Sequence, residues 1–79
     1  MAKLKDIVDN INSRNLESAL NFCDLCENNE NKHIIENFKG VIYLLKGQID
    51  LAEKNFKESI KLNNKFKDPI KNLYVINLK

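Results

Sequence analysis

Residues 33–66 read HIIENFKGVIYLLKGQIDLAEKNFKESIKLNNKF and carry the clearest structural pattern in the chain. The first half of this stretch is apolar around much of a helix circumference, whereas its second half places Ala52, Phe56 and Ile60 among charged residues. Apolar residues that recur at such four-residue intervals indicate amphipathic α-helix. Gly47 lies between the two halves and is a natural left-handed end for the first helix. The stretch therefore predicts a helical hairpin.

Three further helices are predicted on either side of this hairpin. Residues 4–11 and 16–26 carry apolar side chains at helical spacing, and the cap-forming residues 12–15 separate them. A last helix begins at Asp68 and Pro69, an acid at an N-cap followed by proline at the first helical position, and runs to the chain end. Short loops force paired helices to be antiparallel. We therefore expect an all-α fold of about five helices.

Length and composition narrow the class of protein. Seventy-nine residues make one domain, and two glycines and one proline are too few for a β domain with several tight turns. The net charge of +2 and the sparse lysines of residues 61–71 do not favour nucleic-acid binding. No run of about 18 apolar residues predicts a membrane span, and residues 1–6 lack a signal-peptide segment. We therefore predict a cytoplasmic protein that binds neither nucleic acid nor membrane.

Five residues in the central hairpin follow a fixed spacing of small and aromatic side chains. Tyr43 follows Gly40 by three residues, Ala52 follows Gly40 by twelve, and Phe56 and Ser59 come next at steps of four and three. This pattern resembles the tetratricopeptide repeat, or TPR. We expect all five residues to pack the repeat, because small residues at 40 and 52 let two helices approach while the aromatic rings fill the groove.

Two residues depart from the family pattern. Glu36 stands where the family prefers tryptophan or another large residue, and Lys39 stands where it prefers leucine. Phe38 and Ile35, each one position earlier, are expected to supply the missing bulk.

A weaker copy of the pattern precedes the central hairpin. Ala19, Cys23 and Cys26 repeat the spacing of the later helix, and the interval from Ala19 to Ala52 is one residue short of the usual TPR period. The resemblance thus implies one TPR-like domain over residues 1–79, built as antiparallel hairpins stacked into a short right-handed solenoid. Its parts are a degenerate repeat at 1–31, a clear repeat at 33–66, and a capping helix or the start of a further repeat at 68–79.

The resemblance also implies where a partner binds, because the first helix of each TPR hairpin lines the concave face of the solenoid. The residues that it assigns to this face are Ile34, Asn37, Val41, Leu44, Leu45, Lys71, Val75 and Leu78. The surface is mostly aliphatic, so the expected partner is a protein or peptide segment, an apolar helix in particular. The alternative is that these residues pack among themselves in a tighter bundle.

The last helix suggests a second way in which the chain functions. Its apolar residues cannot all be buried on one side, so residues 70–78 are expected to expose an apolar patch. Such a patch favours a homo-oligomer. The alternative is that the chain is an N-terminal repeat fragment of a larger protein, and a transferase is suggested for that protein by analogy only.

Cys23 and Cys26 form a C-x-x-C motif, which is typical of redox pairs and of half zinc sites. The pair lies in the second half of a predicted helix, where the helix dipole opposes thiolate formation, and only His33, predicted to be a surface residue, offers a third metal ligand. We interpret both cysteines as core residues, and a small metal or redox protein as the least favoured alternative. The sequence contains no recognisable catalytic set. We therefore expect an interaction scaffold, not an enzyme, with no metal and no cofactor.

Overall fold

The computed structural model describes residues 2–77, and these form α-helices joined by short loops, with no strand in that range. The helices are α1 Leu4–Asn12, α2 Leu16–Cys26, α3 Lys32–Leu45, α4 Ile49–Leu62 and α5 Asp68–Asn77. The prediction of an all-α fold of about five helices is confirmed. The observed bounds differ from the predicted ones by about one residue at α1 and α3, which is the usual uncertainty of helix ends.

The α1–α2 turn and the α3–α4 turn have the same hydrogen bonds. The Asn15 N–H donates to the Asn10 carbonyl at 2.8 Å, and the Gln48 N–H donates to the Tyr43 carbonyl at 2.9 Å. The residue before each donor has a positive φ, 62° at Arg14 and 81° at Gly47. Both turns are therefore Schellman motifs. Gly47 was predicted to end its helix in this conformation, whereas Arg14 was not.

Helix α3 lies at the centre of the fold, and its contacts define the directions of its neighbours. Ser59 Oγ of α4 donates to the His33 carbonyl at 2.6 Å, and Asn55 Nδ2 donates to Glu36 Oε2 at 2.8 Å. The contact moves from the end of α4 towards its middle as α3 proceeds from His33 to Glu36, so the two helices are antiparallel.

Helix α5 runs parallel to α3. Asn72 Nδ2, in the first half of α5, donates to Asn37 Oδ1, in the first half of α3, at 3.0 Å. Leu44 and Ile76, near the ends of the same two helices, pack in one apolar cluster.

Two apolar clusters form the core. The first joins α1, α2 and α3, and its buried members are Ile7, Ile11, Ala19, Cys23, Ile35 and Ile42. The second joins α3, α4 and α5 through the buried Ala52, Phe56 and Ile76. Val41 packs against both clusters, so α3 connects the two halves of the molecule.

Gly40 and Phe56 make the close contact between α3 and α4. A Cβ atom at position 40 would lie 2.5 Å from Phe56 Cδ1 and 2.8 Å from Phe56 Cζ, which is too close for any real side chain. Phe56 is fully buried, as are Ala52 and Ser59. The absence of a side chain at Gly40 therefore sets the distance between the two helices.

The helices form a thin body with Cα extents of 36 × 26 × 15 Å. Its smallest dimension is about that of two helices packed at an axial distance of about 8–10 Å. None of the helices within residues 2–77 combines the length and the apolar character needed to cross a membrane.

Candidate partner-binding cleft

An apolar cleft of about 400 Å³ opens between the ends of α3 and α5 and the start of α4. Its lining residues are Leu44, Leu45, Gly47, Ile49, Val75 and Ile76. None of these residues carries a charge. Three of the side chains, Leu45, Ile49 and Val75, are exposed to solvent although they are large and apolar.

The cleft results from the α3–α4 turn and from the anchoring of α5. The positive φ of Gly47 reverses the chain within three residues, which brings Ile49 back beside the end of α3. Ile76 is buried in the second cluster and holds the end of α5 against α3. The neighbouring Val75, about 100° further round the helix, faces the opening.

The cleft brings together three of the residues predicted from the TPR resemblance, which are Leu44, Leu45 and Val75. Leu78, another predicted member, lies outside the described residues. Gly47, Ile49 and Ile76 also line the cleft and were not predicted to do so. The sequence did contain an indication for Ile49, because it is an apolar residue at the first position of a helix, shortly after a turn glycine.

The other predicted partner-binding residues lie elsewhere. Ile34 and Val41 are half-buried, and Val41 packs against the core, so only part of each side chain reaches solvent. Asn37 is buried and accepts the hydrogen bond from Asn72, so its side chain holds α5 against α3. Lys71 is exposed on α5 but does not line the cleft.

The two departures from the TPR pattern are both satisfied by polar partners. Glu36 is buried and accepts the hydrogen bond from Asn55. The Lys39 ammonium lies between α2 and α3, 3.4 Å from Asp24 Oδ1 and 3.6 Å from Glu27 Oε1. Partial burial acts to lower the pKa of Lys39, but the carboxylates of Glu36, Glu27 and Asp24 outweigh it and raise that pKa above 10.5.

The cysteines lie in the core. Cys23 is fully buried in the first cluster, Cys26 is half-buried, and both thiols are free. Burial raises the pKa of the Cys23 thiol from 9.0 to about 12, which keeps it protonated and unreactive at neutral pH.

The other candidate metal ligand, His33, packs edge-on against the ring of Phe66, with 5.2 Å between ring centroids. It is half-buried, so one side of the ring packs against Phe66 while the rest reaches solvent. Within residues 2–77, no group of three or more histidine, cysteine or acidic side chains could hold a metal ion.

A second depression, of about 460 Å³, follows the outer side of α4 and differs from the cleft in chemistry. Its lining is charged throughout: Asp50, Glu53, Lys54, Lys57, Glu58 and Lys61. Lys57 and Glu53 form an ion pair of 2.8 Å there, one turn apart. Such a surface is an ordinary solvated helix face. The apolar cleft is therefore the candidate functional site. Comparisons with protein-family models, with curated proteins and with solved structures gave no significant match for this chain.

Proposed function

We propose that this chain is a protein-interaction module that binds an apolar helical segment of a partner in the cleft between α3, α4 and α5. The observation that carries the proposal is the exposure of Leu45, Ile49 and Val75 around one uncharged cleft. Covering such side chains removes apolar surface from water, which contributes about 25 cal/mol per Å². We propose no catalytic, metal-binding or cofactor-binding role.

The volume of the cleft supports a particular mode of binding. A volume of about 400 Å³ is small for a whole helix but suits two or three apolar side chains. An amphipathic helix presents such side chains from one face, at intervals of three and four residues. The partner segment in this proposal is therefore a helix that inserts its apolar anchors between Leu45 and Val75.

The same proposal includes the finer architecture, a short right-handed TPR-like solenoid. It is supported by the two equivalent Schellman turns, by the close contact of Gly40 with Phe56, and by the parallel neighbours α3 and α5. In such an arrangement the cleft lies on the side of the first helices of the hairpins, where TPR proteins bind partners. A cytoplasmic location belongs to the proposal as well.

The test compares the proteins that the wild-type chain captures from its source cells with those captured by variants at the exposed rim of the cleft. Leu45→Glu and Val75→Glu place a charge in the cleft without disturbing the core, whereas Val41→Glu would disrupt both clusters and would test folding instead. Leu25→Glu, on the exposed side of α2, is the matched control. We expect quantitative mass spectrometry to show one partner lost from both cleft variants and retained by the control. Equal capture by all four proteins would refute the proposal, provided that circular dichroism shows equal helicity.

A second candidate function is self-association through residues 70–78. It is favoured by Ile70, Tyr74 and Val75, which are large, apolar and exposed on α5. An N-terminal repeat fragment of a larger protein would expose the same side chains. Sedimentation equilibrium over the micromolar range tests self-association, because a constant monomer mass excludes it.

A further inference from the structure

One face of α5 corresponds to the face of α3 that holds α4. Along one face, the burial of α3 recurs in α5 at a constant offset, one TPR period along the chain. Ile35 and Pro69 are both buried, and so are Ile42 and Ile76, while Lys39 and Leu73 are both half-buried. Ile35 and Ile42 pack with residues of α1 and α2, and Lys39 pairs with Asp24 of α2. Leu73 and Ile76 likewise pack with residues of α4, the helix that precedes α5. Residues one position later, on the neighbouring face, should therefore correspond too.

In α3 that neighbouring face is covered by another helix. Glu36 accepts the hydrogen bond from Asn55, and Gly40 receives the ring of Phe56. The equivalent residues of α5 are Ile70 and Tyr74, which are 41% and 67% exposed. A surface that carries a helix in one unit is thus apolar and unpartnered in the next, among the described residues.

The residues at this face of α5 differ from their equivalents in α3, and the differences change the shape and the polarity that a helix packed there would meet. Gly40 offers a hole that accepts the bulky Phe56, whereas Tyr74 offers a protruding ring. A helix that packs closely over Tyr74 needs a small residue opposite the ring, because a second bulky side chain would hold the helices apart. Ile70, in place of Glu36, requires an apolar neighbour.

The charges beside this face are positive. Lys67 and Lys71 are exposed and one turn apart, and neither forms an ion pair within residues 2–77. Helical geometry places Lys71 about 60° from Tyr74, whereas the one acid of α5, Asp68, lies about 120° away on the far side of Lys71. Acidic side chains on an approaching helix would therefore meet opposite charge.

We propose that the Ile70–Tyr74 face of α5 binds an acidic amphipathic helix of another protein, which places a small residue against Tyr74. This face is distinct from the cleft, because Val75, which lines the cleft, points about 100° away from Tyr74. The occupant takes the position that α4 takes on α3 and runs antiparallel to α5.

The shape of the contact is tested with two synthetic helical peptides, each about five turns long and bridged by lactams to hold the helix. Both carry leucines along one face and glutamates beside them, and they differ only in the central contact residue, alanine or leucine. Fluorescence anisotropy should show the wild-type chain binding the alanine peptide about tenfold more tightly. Tyr74→Ala should abolish or reverse that preference, because the ring no longer blocks a bulky residue.

Matched substitutions separate this face from the rest of the surface. Ile70→Glu should weaken binding of the alanine peptide about tenfold, whereas Leu51→Glu, at a residue of similar exposure on α4, should leave it unchanged. The double variant Lys67→Glu, Lys71→Glu should weaken binding of the acidic peptide to a similar extent. The same variant should bind a peptide that carries lysines in place of the glutamates. Lys54→Glu, on the outer side of α4, is the charge control.

Several results would overturn the proposal. Equal affinity for the two peptides, or no binding by the wild-type chain, would remove the acidic helix as the occupant. Loss of binding in Leu45→Glu but not in Ile70→Glu would place the peptide in the cleft instead. A dimer that sedimentation equilibrium detects in the wild type and not in Tyr74→Ala would identify the occupant as a second copy of this chain.

Discussion

At the scale of single residues, Gly40 decides how closely α3 and α4 approach. Gly40→Ala gains about 1 kcal/mol of helix propensity but forces a methyl group into the ring of Phe56, which typically costs about 1–3 kcal/mol in a packed core. We expect urea denaturation, followed by circular dichroism, to show a less stable protein. In a Phe56→Leu background the same change should stabilise, because the ring is absent. The same sign in both backgrounds would contradict the contact.

Because of Cys23, we expect the free energy of unfolding to decrease with pH in the alkaline range. Its thiol has a pKa of about 12 in the folded chain against an ordinary 9.0, because burial disfavours the thiolate. Above pH 9 the unfolded chain loses the proton that the folded chain keeps, so the free energy of unfolding falls, by up to about 1.4 kcal/mol per pH unit. The contribution is fully present below pH 9 and is lost progressively towards pH 12.

Comparison with Cys23→Ala isolates this effect from the titration of lysines. At pH 7 the wild type should be the more stable protein, because alanine leaves a small cavity in the first cluster. Thermal unfolding between pH 7 and pH 11 should show the two stabilities converging as the pH rises. A constant difference over that range would mean that Cys23 is not buried as a neutral thiol.

Single residues also show what sequence reasoning could and could not supply. Gly40, Ala52, Phe56 and Ser59 were predicted as packing residues, because their sizes and spacing are local information, and all four are buried. The partner of Glu36 was not predictable. Its hydrogen bond reaches 19 residues along the chain, and no local pattern pairs it with Asn55.

At the scale of elements, the two equivalent turns differ in the residue that adopts the positive φ. Arg14 carries a Cβ into the left-handed region, which costs about 1 kcal/mol or more, whereas Gly47 does not. Arg14→Gly should therefore raise stability by up to about 1 kcal/mol, reduced by the loss of the 2.8 Å hydrogen bond from Arg14 Nη1 to the Ile11 carbonyl.

Replacing the glycine of the equivalent turn by a residue with a Cβ should lower the stability of the protein. Nothing lies within 4 Å of a Cβ built at Gly47, so Gly47→Ala reports backbone strain alone, and we expect a loss of about 1 kcal/mol. Urea midpoints of the two single variants and of the double variant test this pair. Additive effects are expected, because no atom of the other turn lies within 4 Å of a Cβ at position 47. A stabilising Gly47→Ala would refute the shared geometry.

The helices were predictable for a physical reason that does not extend to their arrangement. Periodic apolar residues and turn-forming residues such as Gly47 and Asp68 act locally, so they mark where helices begin and end. The side of α5 that meets α3 makes a hydrogen bond from Asn72 to Asn37 and packs Ile76 in the second cluster, and both contacts join residues far apart in the chain. Asn37 was therefore assigned to a binding surface, although its side chain is buried between two helices.

At the scale of the whole molecule, α3 joins two apolar clusters that would otherwise be separate. Because Val41 packs against both, the loss of either cluster exposes side chains of the other. We therefore expect one cooperative unfolding transition instead of two, as is usual for domains of this size.

A mild substitution in one cluster tests this cooperativity from the other. Ile7→Val removes one methylene from the first cluster and should cost about 0.5–1.5 kcal/mol. In a Tyr74→Phe background, the fluorescence of Tyr43 reports on the second cluster. That signal and the far-ultraviolet circular dichroism should shift to the same lower urea midpoint. A tyrosine transition that stays at its original midpoint would show that the clusters unfold independently.

The cleft could be predicted only in part from the sequence. The resemblance placed Leu44, Leu45 and Val75 on one side of the molecule, and they meet there. The contribution of Ile49 depends on the exact reversal of the chain at Gly47, and that of Ile76 depends on how closely α5 packs against Phe56. Both are properties of packing in three dimensions.

The matching turns at Arg14 and Gly47 have a consequence for chain length. Two junctions with the same hydrogen bonds can be joined to each other. Duplicating residues 15–47 would connect each copy to the next through a turn of the same type, in which Asn15 follows Gly47 and takes the place of Gln48. The chain can therefore be lengthened by whole copies of this segment with a connection of a type that the molecule already uses twice.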